Sequence, residues 1–179
     1  KQGKLINIEK YENGNKVIKD KATANYEIRR NYYPNGQVKT KATYLNDTMD
    51  GVRREYDRDG NITDAYVMDQ GKVVGKGIVD KQGMKQNEWK EYYKSGKIKA
   101  KGQYLDNVKV GDWIYYFENG QIEQRGEYNE NGKAEGLWRW YYSNGQLRRQ
   151  EYLKNGIPDG MYKEFTFDGK LWARGNYED

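Results

Sequence analysis

The residues that most often carry catalysis are missing from this chain. It has no His and no Cys. That removes the commonest general base, the usual metal ligand, thiolate sites and the Ser-His-Asp triad together. What could still do chemistry is sparse. "VVGKGIV" at 73–79 sets two Gly around a Lys, but no helix is expected to follow it and aim backbone amides at a phosphate. Carboxylate pairs such as Asp106 with Asp112, or Glu127 with Glu130, read as turn and solvated-face residues rather than as an acid and a base. "NDTMDG" at 46–51 offers three oxygen donors without the terminal bidentate Glu of a calcium loop. The expectation is a protein that is not an enzyme and holds no cofactor and no metal.

The chemistry left is recognition, and the composition supplies its parts. Only 29 of 179 residues are Leu, Ile, Val or Phe, whereas Tyr numbers 18 and Trp 5. So few aliphatics would suit a disordered chain, but the net charge is only +5 and disordered chains lack aromatics. The chain should fold around aromatic side chains. No stretch approaches the 18 or so apolar residues of a membrane-spanning helix. The sequence begins at Lys1 rather than Met, which favours a trimmed, cell-envelope or secreted protein over a cytoplasmic one.

The aromatics are ordered by an internal repeat. "RNYYPNG", "REYDRDG", "KEYYKSG", "YYFENG", "WYYSNG" and "EFTFDG" end at Gly36, Gly60, Gly96, Gly120, Gly145 and Gly169. "GIVDKQG" ending at Gly83 is a degenerate unit, and "EKYENG" ending at Gly14 a worn first copy. Four residues before the six clear turn glycines stand Tyr32, Tyr56, Tyr92, Tyr116, Tyr141 and Phe165; two after stand Val38, Ile62, Ile98, Ile122, Leu147 and Leu171. Seven before, Trp89, Trp113 and Trp138 recur, with Tyr162 in the last copy. Six after comes a small residue in four copies (Ala42, Gly102, Gly126, Gly175), and eight after a Tyr in four (Tyr44, Tyr104, Tyr128, Tyr177).

Each unit reads as two strands joined at a turn, because Asn or Asp tolerates left-handed backbone and Gly accepts it freely. Aromatic and β-branched flanks suit strands, and no 3.6-residue stripe supports a helix. One hairpin cannot bury its own face, so neighbours must stack. The fold expected is all-β, an elongated single-layer antiparallel meander of tandem β-hairpin repeats. Residues 1–179 form one array of about seven to eight units of ~24 residues, irregular at 61–88. Two registers are open. A two-residue loop pairs position −7 with +6, laying each Trp over Gly or Ala. A three-residue loop with a bulge pairs −4 with +2 and is favoured, since it matches the two most regular positions.

The pattern in "GDWIYYFENGQIEQRGEY" from Gly111 resembles the MORN repeat in its bacterial variant form, over most of the chain. Such chains look like the YwqK-type proteins often labelled antitoxins. Arg29 and Arg53 depart from the pattern, standing where Trp belongs, and residues 61–88 break its period, so the sheet or groove is expected to be interrupted there. A lipid kinase, the name sometimes attached to bacterial MORN proteins, is excluded because the repeats fill the chain.

In the favoured register the basic positions share a face with the tryptophans, opposite a seam of residues at +2, +6 and +8. The functional expectation is an interaction module binding a protein or peptide. Trp89, Trp113, Trp138 and Trp140 are the candidate anchors, with Lys99, Lys101, Arg125 and Arg148 at the rim. The plainer reading gives the aromatics a structural role as cross-strand pairs with Lys and Arg stems over them. The alternative function is binding of anionic membrane headgroups or of an acidic or carbohydrate envelope polymer. Nucleic acid is disfavoured by the 27 interspersed acidic residues and the lack of an RNA-binding motif.

Overall fold

The computed structural model describes residues 11–12, 15–16, 26–80 and 82–178. Two short strands, β1 (Tyr11–Glu12) and β2 (Asn15–Lys16), pair with each other. Gly14 itself, and with it most of the first copy, lies outside the described residues.

Thirteen further strands form one open antiparallel sheet in which every strand lies beside its sequence neighbours. The first five are β3 (Tyr26–Tyr32), β4 (Val38–Leu45), β5 (Thr48–Tyr56), β6 (Ile62–Asp69) and β7 (Lys72–Val79). Then come β8 (Lys85–Tyr92), β9 (Ile98–Leu105), β10 (Val108–Tyr116) and β11 (Ile122–Tyr128). The last are β12 (Ala134–Tyr141), β13 (Leu147–Lys154), β14 (Ile157–Phe165) and β15 (Leu171–Tyr177). At about 4.8 Å per strand, the sheet extends ~58 Å across its strands. It contains no helix among the described residues, as the turn chemistry and absent 3.6-residue stripe required.

The repeated turn is a three-residue loop. Tyr33 donates its N–H to the Gln37 carbonyl at 2.8 Å, and Gly36 donates to the Tyr33 carbonyl at 2.9 Å with φ +84°. The same pair of bonds closes 57–61, 93–97, 117–121, 142–146 and 166–170. At several turns the Asn side chain accepts from the backbone two residues on, as Asn119 does from Gln121 and Asn144 from Gln146, both at 3.0 Å.

Both expected registers occur in the same hairpin. Tyr92 pairs with Ile98, and Trp89 pairs with Gly102. A one-residue bulge at Lys99 reconciles them, and it recurs at the equivalent Lys39, Thr63, Glu123, Arg148 and Trp172. The bulge decides the faces, because a one-residue slip moves all later side chains across the sheet. Gly102 and Tyr104 therefore share the face of Trp89, and Lys101 lies behind. This corrects the expected grouping, in which the basic positions sat beside the tryptophans and the +6 and +8 residues opposite them.

Residues 61–88 do not interrupt the sheet. They insert half a repeat, since Gly96 follows Gly83 by 13 residues instead of about 24. One extra strand reverses everything after it. The turns at Gly36, Gly60 and Gly83 lie at one end of the strands, and those at Gly96, Gly120, Gly145 and Gly169 at the other. The face that holds Arg29 and Arg53, where the repeat would have Trp, becomes the back of the Trp89 face. Cross-strand pairs trace this step by step through Arg53, Tyr66, Lys76 and Lys90.

The core is correspondingly thin and one-sided. Ala65, Val79, Trp89, Ala100, Tyr104 and Trp113 form its buried cluster, with Ile62, Val67, Tyr115 and Tyr128 packed against it.

Candidate interaction surface

The two faces of the sheet differ in chemistry. On one, tryptophan and tyrosine alternate edge to face. Ring centroids lie 6.1 Å apart for Trp89–Tyr104, 5.2 Å for Tyr104–Trp113, 6.3 Å for Trp113–Tyr128 and 5.1 Å for Tyr128–Trp138. That geometry suits the aromatic quadrupole. Each indole N–H is satisfied by a backbone carbonyl: Trp89 donates to Ile78, Trp113 to Gln103 and Trp138 to Glu127, at 3.0–3.1 Å. Lys109 caps Trp113 at 3.9 Å from the ring centroid, and Lys85 lies over Trp89 at 4.9 Å.

A polar cluster closes this face. Tyr104 donates to Glu91 at 3.0 Å, Tyr115 and Tyr128 share a hydrogen bond of 2.9 Å, and Lys109 donates to the Tyr115 hydroxyl at 3.1 Å. Burial pushes the Tyr104 and Tyr115 hydroxyls up, with Glu91 adding to the rise. Burial also lowers the Lys109 ammonium, against the pull of Glu91. Farther along, Arg149 ion-pairs with Glu164 at 3.0 Å and with the buried Glu151.

The opposite face carries a single row of directly paired residues across all thirteen strands. In order it runs Arg29, Ala42, Arg53, Tyr66, Lys76, Lys90, Lys101, then Ile114, Arg125, Arg139, Gln150, Lys163 and Arg174. Nine of the thirteen are cations and none is acidic. Arg29, Arg53, Lys76 and Lys90 are paired with Asp47, Glu55, Asp64 and Glu88. Lys101, Arg125, Arg139, Lys163 and Arg174 make no ion pair within 4.0 Å among the described residues. Lys101 and Arg125 instead lean over Tyr116 and Tyr141, at 6.0 and 5.7 Å.

The candidate residues are therefore divided between the two sides. Trp89, Trp113 and Trp138 are 1, 0 and 3% exposed, so their rings are structural and cannot serve as open anchors. Trp140 is half-buried beside Trp138, centroids 5.9 Å apart. Lys101 and Arg125 stand on the far face. Lys99 and Arg148 are exposed bulge residues; Lys99 lines an open depression of about 400 Å³ with Trp89, Lys85 and Glu91. Sequence reading missed Lys90, Arg139 and Lys163, six residues before their turn glycines. The signal was available, since pairing −7 with +6 also pairs −6 with +5.

The repeat units coincide with a known family. The MORN repeat variant matches residues 28–46, 85–106, 109–130, 134–155 and 158–179. The chain belongs to the MORN repeat variant family. MORN repeats are generally interaction modules. The first three of the four consecutive MORN units from 85 onwards carry the tryptophan ladder, the last having Tyr162 at that place, and residues 47–84 fall between matches.

Among curated proteins, none matches the chain significantly in sequence. Solved structures show weak likeness. A mutant of S. aureus TarM, in complex with fondaparinux, alpha-GlcNAc-glycerol and UDP, is 14% identical at a TM-score of 0.31, over 61% of this chain and 19% of that one. A GtfA/B complex bound to UDP and GlcNAc is 16% identical at 0.25, over 65% and 23%. Accessory secretory protein 1,2 and 3 of Streptococcus pneumoniae is 18% identical at 0.24, over 60% and 18%. The MORN chain thus spans about a fifth of the length of these structures.

Proposed function

We propose that this MORN array is a non-catalytic interaction module that binds a protein partner on the face carrying the cationic row. One observation carries the reading: Lys76 opposes Lys90, Lys90 opposes Lys101, Arg125 opposes Arg139 and Lys163 opposes Arg174. Like charges directly opposite each other destabilise a sheet. Their repetition across the array is therefore unfavourable for folding and suits a counter-charged partner. A YwqK-like role would make that partner a toxin, but the reading requires only complementary charge.

Anionic headgroups or an acidic envelope polymer would draw on the same cations. The next row of this face counts against a flat anionic surface, because Glu88, Asp112 and Glu127 stand two residues along their strands from Lys90, Ile114 and Arg125. A lipid plane would meet those carboxylates together with the cations, whereas a protein can match a striped pattern.

The test is a photo-crosslinking side chain at Gln103, exposed on this face, in the cells that make the protein. Expected is one protein captured reproducibly, lost on Arg125→Glu and not captured from Ser95 in the turn. No captured protein across growth conditions, or equal capture from Ser95, overturns the reading.

A further inference from the structure

We infer that the partner meets this face with an amphipathic α-helix laid across β9–β12, an acidic stripe over the cations and an apolar stripe beside it. The inference rests on the reading that the face binds protein. Two parallel rows carry it. The first is Lys101, Ile114, Arg125 and Arg139. The second, nearer the turn glycines on the same strands, is Ile98, Tyr116, Ile122 and Tyr141, with Tyr116 directly opposite Ile122. Ile98 is 39% exposed and the others half-buried.

The spacing selects a helix. The rows lie ~7 Å apart along the strands, within the ~10 Å width of a helix, so one helix covers both. Along the rows the step is about 4.8 Å per strand, and side chains at i, i+4 and i+7 of a helix advance by ~6 and then ~4.5 Å. The two stay in step across four strands, ~14 Å or about ten helical residues, before the twist of the sheet carries the rows away. An extended peptide shows the sheet alternate residues about 7 Å apart, in one row only. Charge selects an acidic stripe, because Lys101, Arg125 and Arg139 have no carboxylate within 4.0 Å among the described residues. Asp112 and Glu127 on the other flank repel that stripe and hold the helix towards the tyrosines.

The probe is a fluorescent helical peptide with Glu at i, i+4 and i+7 and Leu on the adjacent stripe, titrated against the full chain. Its companions are the same helix with Lys for Glu, and a proline-broken peptide of the same composition. Expected is binding of the acidic helix below roughly 100 µM, tightening as salt falls. Combining Lys101→Glu, Arg125→Glu and Arg139→Glu should weaken it at least roughly tenfold. Combining the turn changes Lys97→Glu, Lys133→Glu and Lys170→Glu should leave it within about twofold, thermal melts of both variants confirming that they fold. No helix binding, equal binding of either companion, or equal loss in the turn variant overturns the inference. Capture by anionic vesicles without peptide binding overturns it in favour of a lipid surface. A protein crosslinked at Gln103 while no acidic helix binds would sink the helical mode and leave the module standing.

Discussion

Trp113 covers Gly102 of the preceding strand, and its indole N–H donates to the carbonyl of the next residue, Gln103, at 3.1 Å. Trp89 stands in the same relation to Gly77 and Ile78, and Trp138 to Gly126 and Glu127. The glycine is required by space: a Cβ at Gly102 would clash with the face of the Trp113 ring. This small unit, repeated, lets a single-layer sheet bury three indoles without a second layer. Trp113→Ala is expected to cost about 3–5 kcal/mol, the range for large buried aromatics. Gly102→Ala should cost about 1–3 kcal/mol by overpacking. Urea unfolding measures both; a loss under about 0.5 kcal/mol for either would mean that the ring is not held there.

The turns are tied together one repeat apart. Tyr33 donates to the Tyr56 carbonyl, Tyr93 to Tyr116 and Tyr142 to Phe165, at 2.6–2.9 Å. Phe117 occupies the same place without a hydroxyl. Tyr93→Phe and Tyr142→Phe should each cost about 1 kcal/mol, the usual net worth of a hydrogen bond. Phe117→Tyr, which can reach the Tyr141 carbonyl in the same way, should be neutral or stabilising. Denaturant midpoints compare the three, and destabilisation by Phe117→Tyr would show that the stacked turns differ in spacing.

Stability should fall in alkali. Tyr104 and Tyr115 hold their protons above the ordinary value of 10.0 because they are buried. Below pH 10 folded and unfolded chains are both protonated at these groups and their contribution is complete. Above it the unfolded chain releases protons that the native state keeps, so stability declines as pH rises. Lys109 has the opposite sign, since its ammonium is lowered from 10.5. It adds stability as pH rises towards that value, but it is one group against two. Urea titrations from about pH 8 to 11 should show the decline, and Tyr115→Phe should flatten it. A parent curve that stays level would refute the buried tyrosine network.

How much could be read beforehand follows from where the information sits. Hairpin positions leave local marks, a Gly at positive φ and an Asn that bonds the turn, so every clear turn from Gly36 to Gly169 was legible. The faces were not. They depend on one bulge residue, and its position is filled by Lys39, Thr63, Lys99, Glu123, Arg148 and Trp172, which share no property. Missing that residue put Lys101 and Arg125 beside Trp113 rather than behind it. It also concealed Arg139 and Lys163, whose positions look ordinary until they are paired across the sheet. Residues 61–88 looked like decay because their strands are regular while the period is not.

That half repeat makes a final prediction. Arg29 and Arg53 stand where later units have Trp, and they hold the same local geometry, with Arg29 4.3 Å from the Tyr44 ring and Arg53 5.2 Å from Tyr66. Restoring the repeat by Arg53→Trp would extend the tryptophan ladder if the array were continuous. The extra strand forbids it, since the row from Arg53 through Tyr66 and Lys76 reaches Lys90 on the back of Trp89. The new indole should lie half-exposed among cations, adding long-wavelength emission that acrylamide quenches. The ion pair lost with Glu55 is part-exposed, so stability should change by less than about 1 kcal/mol. Emission protected from the quencher, together with a gain in stability, would place position 53 on the ladder face and overturn the reversal at β8.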